Sequence, residues 1–441
     1  MRHLVPVLFA AVLLAGCESD SFDWLGTPPP PPLPGDRIAI LQLDAELTAD
    51  PEVAEEAIIL PPPLPTPNWP QSGGLTDKAM YHIAAPGPLE EIWTADIGEG
   101  DGKYRRIIAT PVVALGRAYA FDADTEVTAV DAETGKELWD FDITPDAESE
   151  GGWGGGLAFY RGRLYVTTGY GELIALDGES GEEYWRVRVG PPLRTPPTVS
   201  QGRVFIVTPE NELQVLDADT GELLWAHRGI EEIASLLGGG GPAVSGSIVI
   251  VTFSSGEIYA LRVENGRVVW SDSLAYASRI GTLAALNDIN GSPVIDRGRV
   301  FAISHGGRLV AIDLATGARL WEREVTGVQT PWIAGNYLYV VSLDGKVVCL
   351  EREDGRIRWV TALPNFEDPE DHDDPILWSG PLLAGDRLLV VGSDGTAASI
   401  SPYTGEILGM VDMGSSLPVA PIAAGEIVYL LDGSGDLIAL R

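Results

Sequence analysis

Side chains equipped for catalysis or metal binding are thinly spread along this 441-residue chain. His82, His227, His305 and His372 are scattered, and His3 lies at the extreme amino terminus. No two of them have the spacing that directs a pair of imidazoles at one zinc ion. Neither a Gly-x-Ser-x-Gly nucleophile elbow nor a glycine-rich phosphate or dinucleotide loop occurs. Asp122-Ala123-Asp124-Thr125-Glu126 opens like a calcium loop, with Glu133 at its twelfth position. Val127, however, stands where such a loop needs glycine, and the stretch reads as a strand. Glu367 to Asp374 is an acidic run that includes His372 and reads as a solvated loop rather than a cation site. Gly151 to Gly156, interrupted by Trp153, reads as the entry to an inner strand, and Cys349 fills the alanine slot of an apolar strand as a small buried hydrophobe. The sequence therefore assigns no catalytic residue, no metal site and no cofactor.

The other cysteine has different chemistry. Met1-Arg2-His3 is basic, and Leu4 to Leu14 is an apolar run too short to span a bilayer comfortably as a helix. It ends in Leu14-Ala15-Gly16-Cys17, which resembles the bacterial lipobox, where the cysteine thiol accepts a diacylglyceryl group. The expectation is a lipoprotein signal peptide over 1–16 and a mature chain that begins at lipidated Cys17, outside the cytoplasm. Several acyl chains make attachment stable where one alone would be marginal. Glu18, rather than aspartate, after the cysteine points to the outer membrane, on its periplasmic face. With Cys17 acylated, Cys349 has no partner for an intrachain disulfide.

Residues 17–67 read as a proline-rich, acidic tether. Pro28 to Pro32 and Pro61 to Pro63 favour extended polyproline II, which reaches roughly 3 Å per residue. Arg37 to Leu41 is apolar enough to dock on a surface, and Asp50 to Glu56 reads as solvated. The chain carries 29 Lys and Arg against 64 Asp and Glu, a formal charge of −35. Such a surface repels phosphate, which argues against nucleic acid and against anionic lipid held by a basic patch. A hydrophobic content of 45% argues against disorder and for a large core.

From Trp69 onward the sequence repeats. Tryptophan closes a similar phrase at positions 93, 139, 185, 225, 270, 321 and 359, and an eighth phrase ends at Gly409 without it. Intervals of 38 to 51 residues are propeller-blade lengths. Each unit has a small residue with Pro leading to a short apolar stretch, as at Thr110-Pro111 and Ser292-Pro293. An alternating strand such as Arg203 to Val207 follows, and then a strand, turn and strand such as Leu213 to Trp225. The turn Asp217-Ala218-Asp219-Thr220-Gly221 is legible: Asp accepts backbone N–H groups, and Gly supplies a positive φ. Four strands per unit, a to d, leave both faces of an isolated sheet wet, whereas radial stacking buries them. The third-strand phrase occurs eight times, and the last, Ile438-Ala439-Leu440, lacks a following d strand. Glu91-Ile92-Trp93 is a d strand without a blade before it. The reading is an all-β fold over 68–441: an eight-bladed β-propeller of four-stranded antiparallel blades. Its ring is closed by pairing of the N- and C-terminal segments, which removes free edges.

The a–b and c–d turns are tight, so one face is smooth, while the d–a and b–c connections emerge on the other. Variable loops on a rigid scaffold are where binding sits. The d–a stretches Ile230 to Gly241 and Ser271 to Ser292 belong to consecutive blades and should lie side by side. They carry Leu236-Leu237 and Leu286-Asn287-Asp288-Ile289-Asn290, apolar groups beside hydrogen-bonding ones, as a protein-docking patch needs. Loops packed on their own blades are the alternative.

Two families use the Ala-Leu-Asp-x-x-Thr-Gly-x-x-x-Trp repeat: the quinoprotein dehydrogenases, which hold pyrroloquinoline quinone at the propeller axis, and BamB. The chain resembles the BamB family, lipoproteins of the outer-membrane β-barrel assembly machinery, and in particular its proline-rich, acidic α-proteobacterial type. The lipobox, the entry Asn68-Trp69-Pro70-Gln71-Ser72-Gly73-Gly74 and eight repeats without large insertions carry the resemblance, over Cys17 and Trp69 to Arg441. It implies a non-catalytic scaffold that binds the periplasmic POTRA domains of BamA alongside the other components of the complex, with nascent outer-membrane β-barrel proteins as a further candidate partner. The family's contact loops carry Leu-Arg-Gly and Asp-x-Asp-x-x-Pro. Here Leu236-Leu237-Gly238 and Asp288-Ile289-Asn290-Gly291-Ser292-Pro293 occupy them, which makes Leu236, Leu237, Asp288 and Asn290 the candidate contact residues. Leu237 in place of arginine and Asn290 in place of the second aspartate both remove charge from that interface. The adjacent cysteine pair of quinoprotein enzymes is absent. A periplasmic quinoprotein dehydrogenase and a cell-surface propeller with another protein ligand remain the alternatives.

Overall fold

The computed structural model describes residues 47–145, 154–232, 238–275, 288–368 and 373–441. Among them, eight four-stranded antiparallel sheets follow one another around a ring. Blade 1 shows the pattern: strands a (Val112–Ala114), b (Arg117–Phe121), c (Glu126–Asp131) and d (Glu137–Asp142). Blades 2 to 7 repeat it over 155–188, 198–228, 243–273, 294–324, 332–362 and 378–412. Blade 8 takes its first three strands from 422–440 and its outer strand from Glu91–Asp96. The closing register pairs Thr94 with Ile438, Ala95 with Leu437 and Asp96 with Asp436. The expected propeller and its two-ended eighth blade are both present.

Side-chain chemistry explains why each blade seats on the next. In blade 1 the carboxylate of Asp131 accepts the Thr134 N–H at 2.9 Å and the Thr134 hydroxyl at 2.7 Å, folding the c–d turn. Those donors hold the Asp131 carboxyl below the usual carboxylate range. Gly135 closes the turn at φ +69°, and a Cβ there would lie 2.6 Å from the indole of Trp93 on the preceding outer strand. The same juxtaposition recurs at the next six seams, from Gly181 on Trp139 to Gly405 on Trp359. The indole N–H of Trp270 donates to Leu314 O at 2.8 Å, and that of Trp321 to Arg352 O at 2.9 Å. A b-strand tyrosine often shares the acceptor: Tyr119 Oη and Trp139 Nε1 both donate to Gly178 O. Each of these seven seams is thus an aromatic ring clamped on a turn that only glycine can close.

The amino-terminal approach to the ring is a second device, which the repeat pattern does not announce. Residues 66–83 run around the inner strands on the face of the a–b turns. Trp69 exchanges two backbone hydrogen bonds with Val113 of blade 1, and Phe159 of blade 2 donates to Pro70 O. Val199 of blade 3 donates to the Gln71 side chain at 3.0 Å. Val244 of blade 4 donates to Thr76 O, and Ile295 of blade 5 to Asp77 O. The Trp332 indole of blade 6 donates to Tyr81 O at 2.7 Å. Ile83 donates to Leu383 O of blade 7, and Gly425 of blade 8 donates to Thr66 O. This strap touches every blade. Just upstream, 47–58 lies on blade 6: Asp50 N–H donates to Ile357 O, Arg358 to Glu56 O, and Val53 is buried.

Lys78 is the polar centre of the strap. Its side chain is buried, and its ammonium donates to Ser72 O at 2.8 Å and Thr198 Oγ1 at 3.1 Å. Burial lowers its pKa to about 7. The folded state therefore binds fewer protons than the unfolded chain between pH 7 and the ordinary lysine value near 10.5. Stability attributable to this group rises with pH across that window and is flat below it. Relative to Lys78→Met, the wild-type midpoint of thermal unfolding should climb from pH 7 to pH 10, and the difference between the two proteins should be constant below pH 7. Parallel curves across the whole range would remove this role.

Candidate functional site

The strap covers the axis on the smooth face, so the ring is entered from the face of the d–a loops. An axial cavity of about 290 Å³ is lined by Trp69, Ser72 and Lys78 from the strap, and by Thr110, Thr330 and Ser379 where inner strands begin. Gly238 to Gly240 and Asn290 also border it. A second cavity, of about 410 Å³, lies beside it beneath the same loops, among Arg194, Asn211, Phe253, Ile289 and Asn290.

Two d–a loops meet here, as their lengths and order imply. A Cβ on Gly240 would fall 2.4 Å from Ser292 N and 2.6 Å from Gly291 C, so the loops touch backbone to backbone. The first loop is fixed at its root. Asn211 donates to Ile230 O at 2.6 Å and accepts from Ser254 N and Oγ, which ties the b–c loops of blades 3 and 4 to it. Glu257 accepts the Ile230 N–H, the Ser255 hydroxyl and the Tyr259 hydroxyl. The hydrogen bond to Glu257, with burial, pushes the Tyr259 phenol up to about 12. His227 stacks edge-on against Tyr259 at 4.6 Å, and burial lowers its pKa. The second loop is held by the His305 N–H on Asp288 O at 2.8 Å and by the Ser292 N–H on Thr330 Oγ1 at 3.0 Å.

The candidate contact residues are distributed unevenly over this site. Asp288 is 1% exposed, so it shapes its loop from within. Asn290 is half-buried and borders both cavities. Leu236 and Leu237 lie outside the described residues, which resume at Gly238. Asn211, Glu257 and Gly240, which position the patch, carried no motif in the sequence. The signal that could have found Gly240 is the run Gly238 to Gly241, read as a backbone packed against backbone.

The remaining chemical candidates resolve simply. Asp122 accepts the N–H groups of Glu99, Asp124 and Glu126, an Asx-type turn that engages both carboxylate oxygens. His82 contacts Pro61 O through Nδ1 at 2.7 Å and Asp386 N through Nε2 at 3.3 Å. Cys349 is fully buried, and burial pushes its thiol up, away from a reactive thiolate. Phe366–Asp368 pairs with Asp373–Pro375 as a short hairpin, while 369–372, with His372, lies outside the described residues. Cys17 also lies outside them. Among the described residues, no group of three or more His, Cys, Asp or Glu could hold a metal ion.

Fold and repeat chemistry define an eight-bladed propeller of PQQ-like repeats, with a cluster of surface loops as its distinctive site. A family model described as outer membrane protein assembly factor BamB matches residues 123–361 and 334–441. BamB of Alkalilimnicola ehrlichii is 35% identical over 354 residues, covering 80% of this chain and 88% of that protein. BamB of Escherichia coli is 31% identical over 303 residues, covering 67% and 75%. The crystal structure of BamB from Moraxella catarrhalis superposes with a TM-score of 0.67 at 20% identity, covering 80% of this chain and all of that one. A quinohemoprotein alcohol dehydrogenase from Comamonas testosteroni also has a TM-score of 0.67, at 15% identity, covering 85% and 80%, a likeness of fold. The chain belongs to the family of the outer membrane protein assembly factor BamB.

Proposed function

We propose that this chain is a non-catalytic scaffold lipoprotein of the outer-membrane β-barrel assembly machinery. It binds the POTRA domains of BamA through the d–a loops of residues 229–242 and 274–293. The observation that carries the reading is the backbone contact of Gly240 with Gly291 and Ser292, which makes one patch of two loops within a chain of the BamB family. Leu236, Leu237 and Asn290 present the contact surface, and Asp288 holds the second loop in shape. Neutral residues in place of the family's arginine and second aspartate shift this interface toward apolar packing and uncharged hydrogen bonds. The rigid seams keep the patch preorganised, which spares ordering entropy on association. Crosslinking in native membranes followed by affinity capture of this chain tests the reading. BamA should dominate the crosslinked species, and its absence from them would overturn it.

Cys17 anchors the scaffold in the outer membrane through its acyl chains, facing the periplasm. Cys17→Ser should leave an unacylated protein that fractionates with soluble periplasmic proteins. Membrane retention of that unacylated variant, followed by immunoblotting of the fractions, would contradict the anchor.

A further inference from the structure

The seam between blades 7 and 8 breaks the rule of the others. The outer strand of blade 7 is Ile407–Asp412, and Gly409 pairs with Ser399 at the register position where Trp139 pairs with Ala129 and Trp321 with Ala311. No atom lies within 4 Å of where a Gly409 side chain would start. The cause is topological. In blade 8 strands c and d come from separate parts of the chain, so where the other blades have a c–d turn the ladder simply ends, in mutual backbone hydrogen bonds of Glu90 and Arg441. There is no glycine turn for an indole to grip, and the slot stands open.

The strand itself is equally bare. All six residues are exposed, including Ile407, Leu408 at 57%, Met410 and Val411 at 60%. Its one charge is the terminal Asp412. Exposed edges are ordinarily guarded by charges or covered. The outer strands of blades 1, 2, 5 and 8 carry two to four charges each; those of blades 3 and 4 carry one each, but all six keep their tryptophan and none is exposed along its whole length. The charge-poor outer strand of blade 6 is covered by the chain's own 47–58, through the Asp50 N–H on Ile357 O and the Arg358 guanidinium on Glu56 O. The molecule thus already shows a peptide laid on one such strand.

We propose that the outer strand of blade 7 is a strand-addition site for an extended segment of a partner protein. That segment alternates apolar and polar residues, carries an aromatic side chain for the slot at Gly409, and has a basic flank. The basic flank answers Glu406 and Asp412, which bracket the strand, and the formal charge of −35 opposes a second copy of this chain as occupant. Main-chain pairing supplies affinity and the slot supplies selectivity.

The test uses the full mature chain with Cys17→Ser and a fluorescein-labelled peptide, KTVTWTVTK, followed by anisotropy. The peptide should bind, and its counterpart with alanine for tryptophan should bind about fivefold more weakly. Leu408→Lys with Val411→Lys, both at exposed positions, should weaken binding about tenfold while leaving the circular dichroism melt unchanged. Gly409→Trp should fill the slot and abolish the preference for the tryptophan peptide. Absence of binding at millimolar peptide, equal binding to the lysine variant, or an undiminished preference in Gly409→Trp would each overturn the proposal. So would sedimentation showing a dimer that dissociates in the lysine variant, which would make a second copy the occupant. This site lies on the rim, away from the d–a loops, so loss of BamA capture would leave its outcome untouched.

Discussion

A chain lacking Asp436–Arg441 should fail to form a stable ring. Those residues are the third strand of blade 8, paired on one side with Ile427–Leu431 and on the other with Glu91–Asp96. Their loss removes Leu437 and Ala439, both fully buried, together with Ile438, and frees the outer strand from the sheet. Fully burying each large aliphatic side chain is worth about 1.5–3 kcal/mol. The unpaired outer strand also withdraws Trp93 from its contacts with Gly135 and Tyr429, opening the seam to blade 1. These losses together rival the roughly 5–15 kcal/mol that separates a typical folded domain from its unfolded state. The truncated protein should show no cooperative thermal transition by circular dichroism and rapid cleavage by a nonspecific protease. A sharp transition within a few degrees of the full chain would mean that the ring does not depend on its two-ended blade.

Replacing Arg352 by leucine should cost about 3–5 kcal/mol, the range for stripping one partner from a buried ion pair. The Arg352 guanidinium, in the c–d turn of blade 6, pairs with Asp296 at the end of strand a of blade 5, whose side chain is 0% exposed. Tyr81 of the strap donates to the other Asp296 oxygen at 2.8 Å. Burial, with that hydrogen bond, pushes the tyrosine up to about 12. Two blades and the strap therefore converge on one carboxylate, and Arg352→Leu would leave it buried with, for a cation, only the longer 3.9 Å contact to Arg297, which is itself half-exposed. Adding Asp296→Asn to Arg352→Leu should recover much of the loss in urea denaturation, because the weakly paired charge disappears. A single variant as stable as the parent would show that the junction contributes nothing.

The blades were legible in the sequence because their information is local. Asp131, Thr134 and Gly135 fold a turn by their own chemistry, and the tryptophan that clamps it recurs at blade length. Closure followed from counting, since Glu91-Ile92-Trp93 and Ile438-Ala439-Leu440 each lacked what the other supplied. Gly409 was visible as a missing tryptophan, but its reason, a seam without a turn, needed the topology. The strap was not legible. It is held mainly by backbone carbonyls of Thr66, Pro70, Thr76, Asp77 and Tyr81, which leave no side-chain pattern, and it begins inside a proline-rich stretch. Sequence placed 47–67 in the tether, whereas 47–58 rests on blade 6 and Leu64 pairs beside Ile83. Lys78 looked like any surface lysine until the strap buried it. At the candidate site, loop lengths pointed to the correct pair of neighbours, but burial of Asp288 depends on how its loop folds back, which composition does not encode.

The most direct test of the scaffold reading is the affinity of the purified mature chain for the isolated BamA POTRA region, measured by biolayer interferometry. The comparison is with a variant that combines Leu236→Glu, Leu237→Glu and Asn290→Ala and retains the parent's melting curve. The parent should bind, and the variant should bind about tenfold or more weakly, as truncation of a central contact cluster does. Equal affinity of the two proteins would contradict docking through these loops.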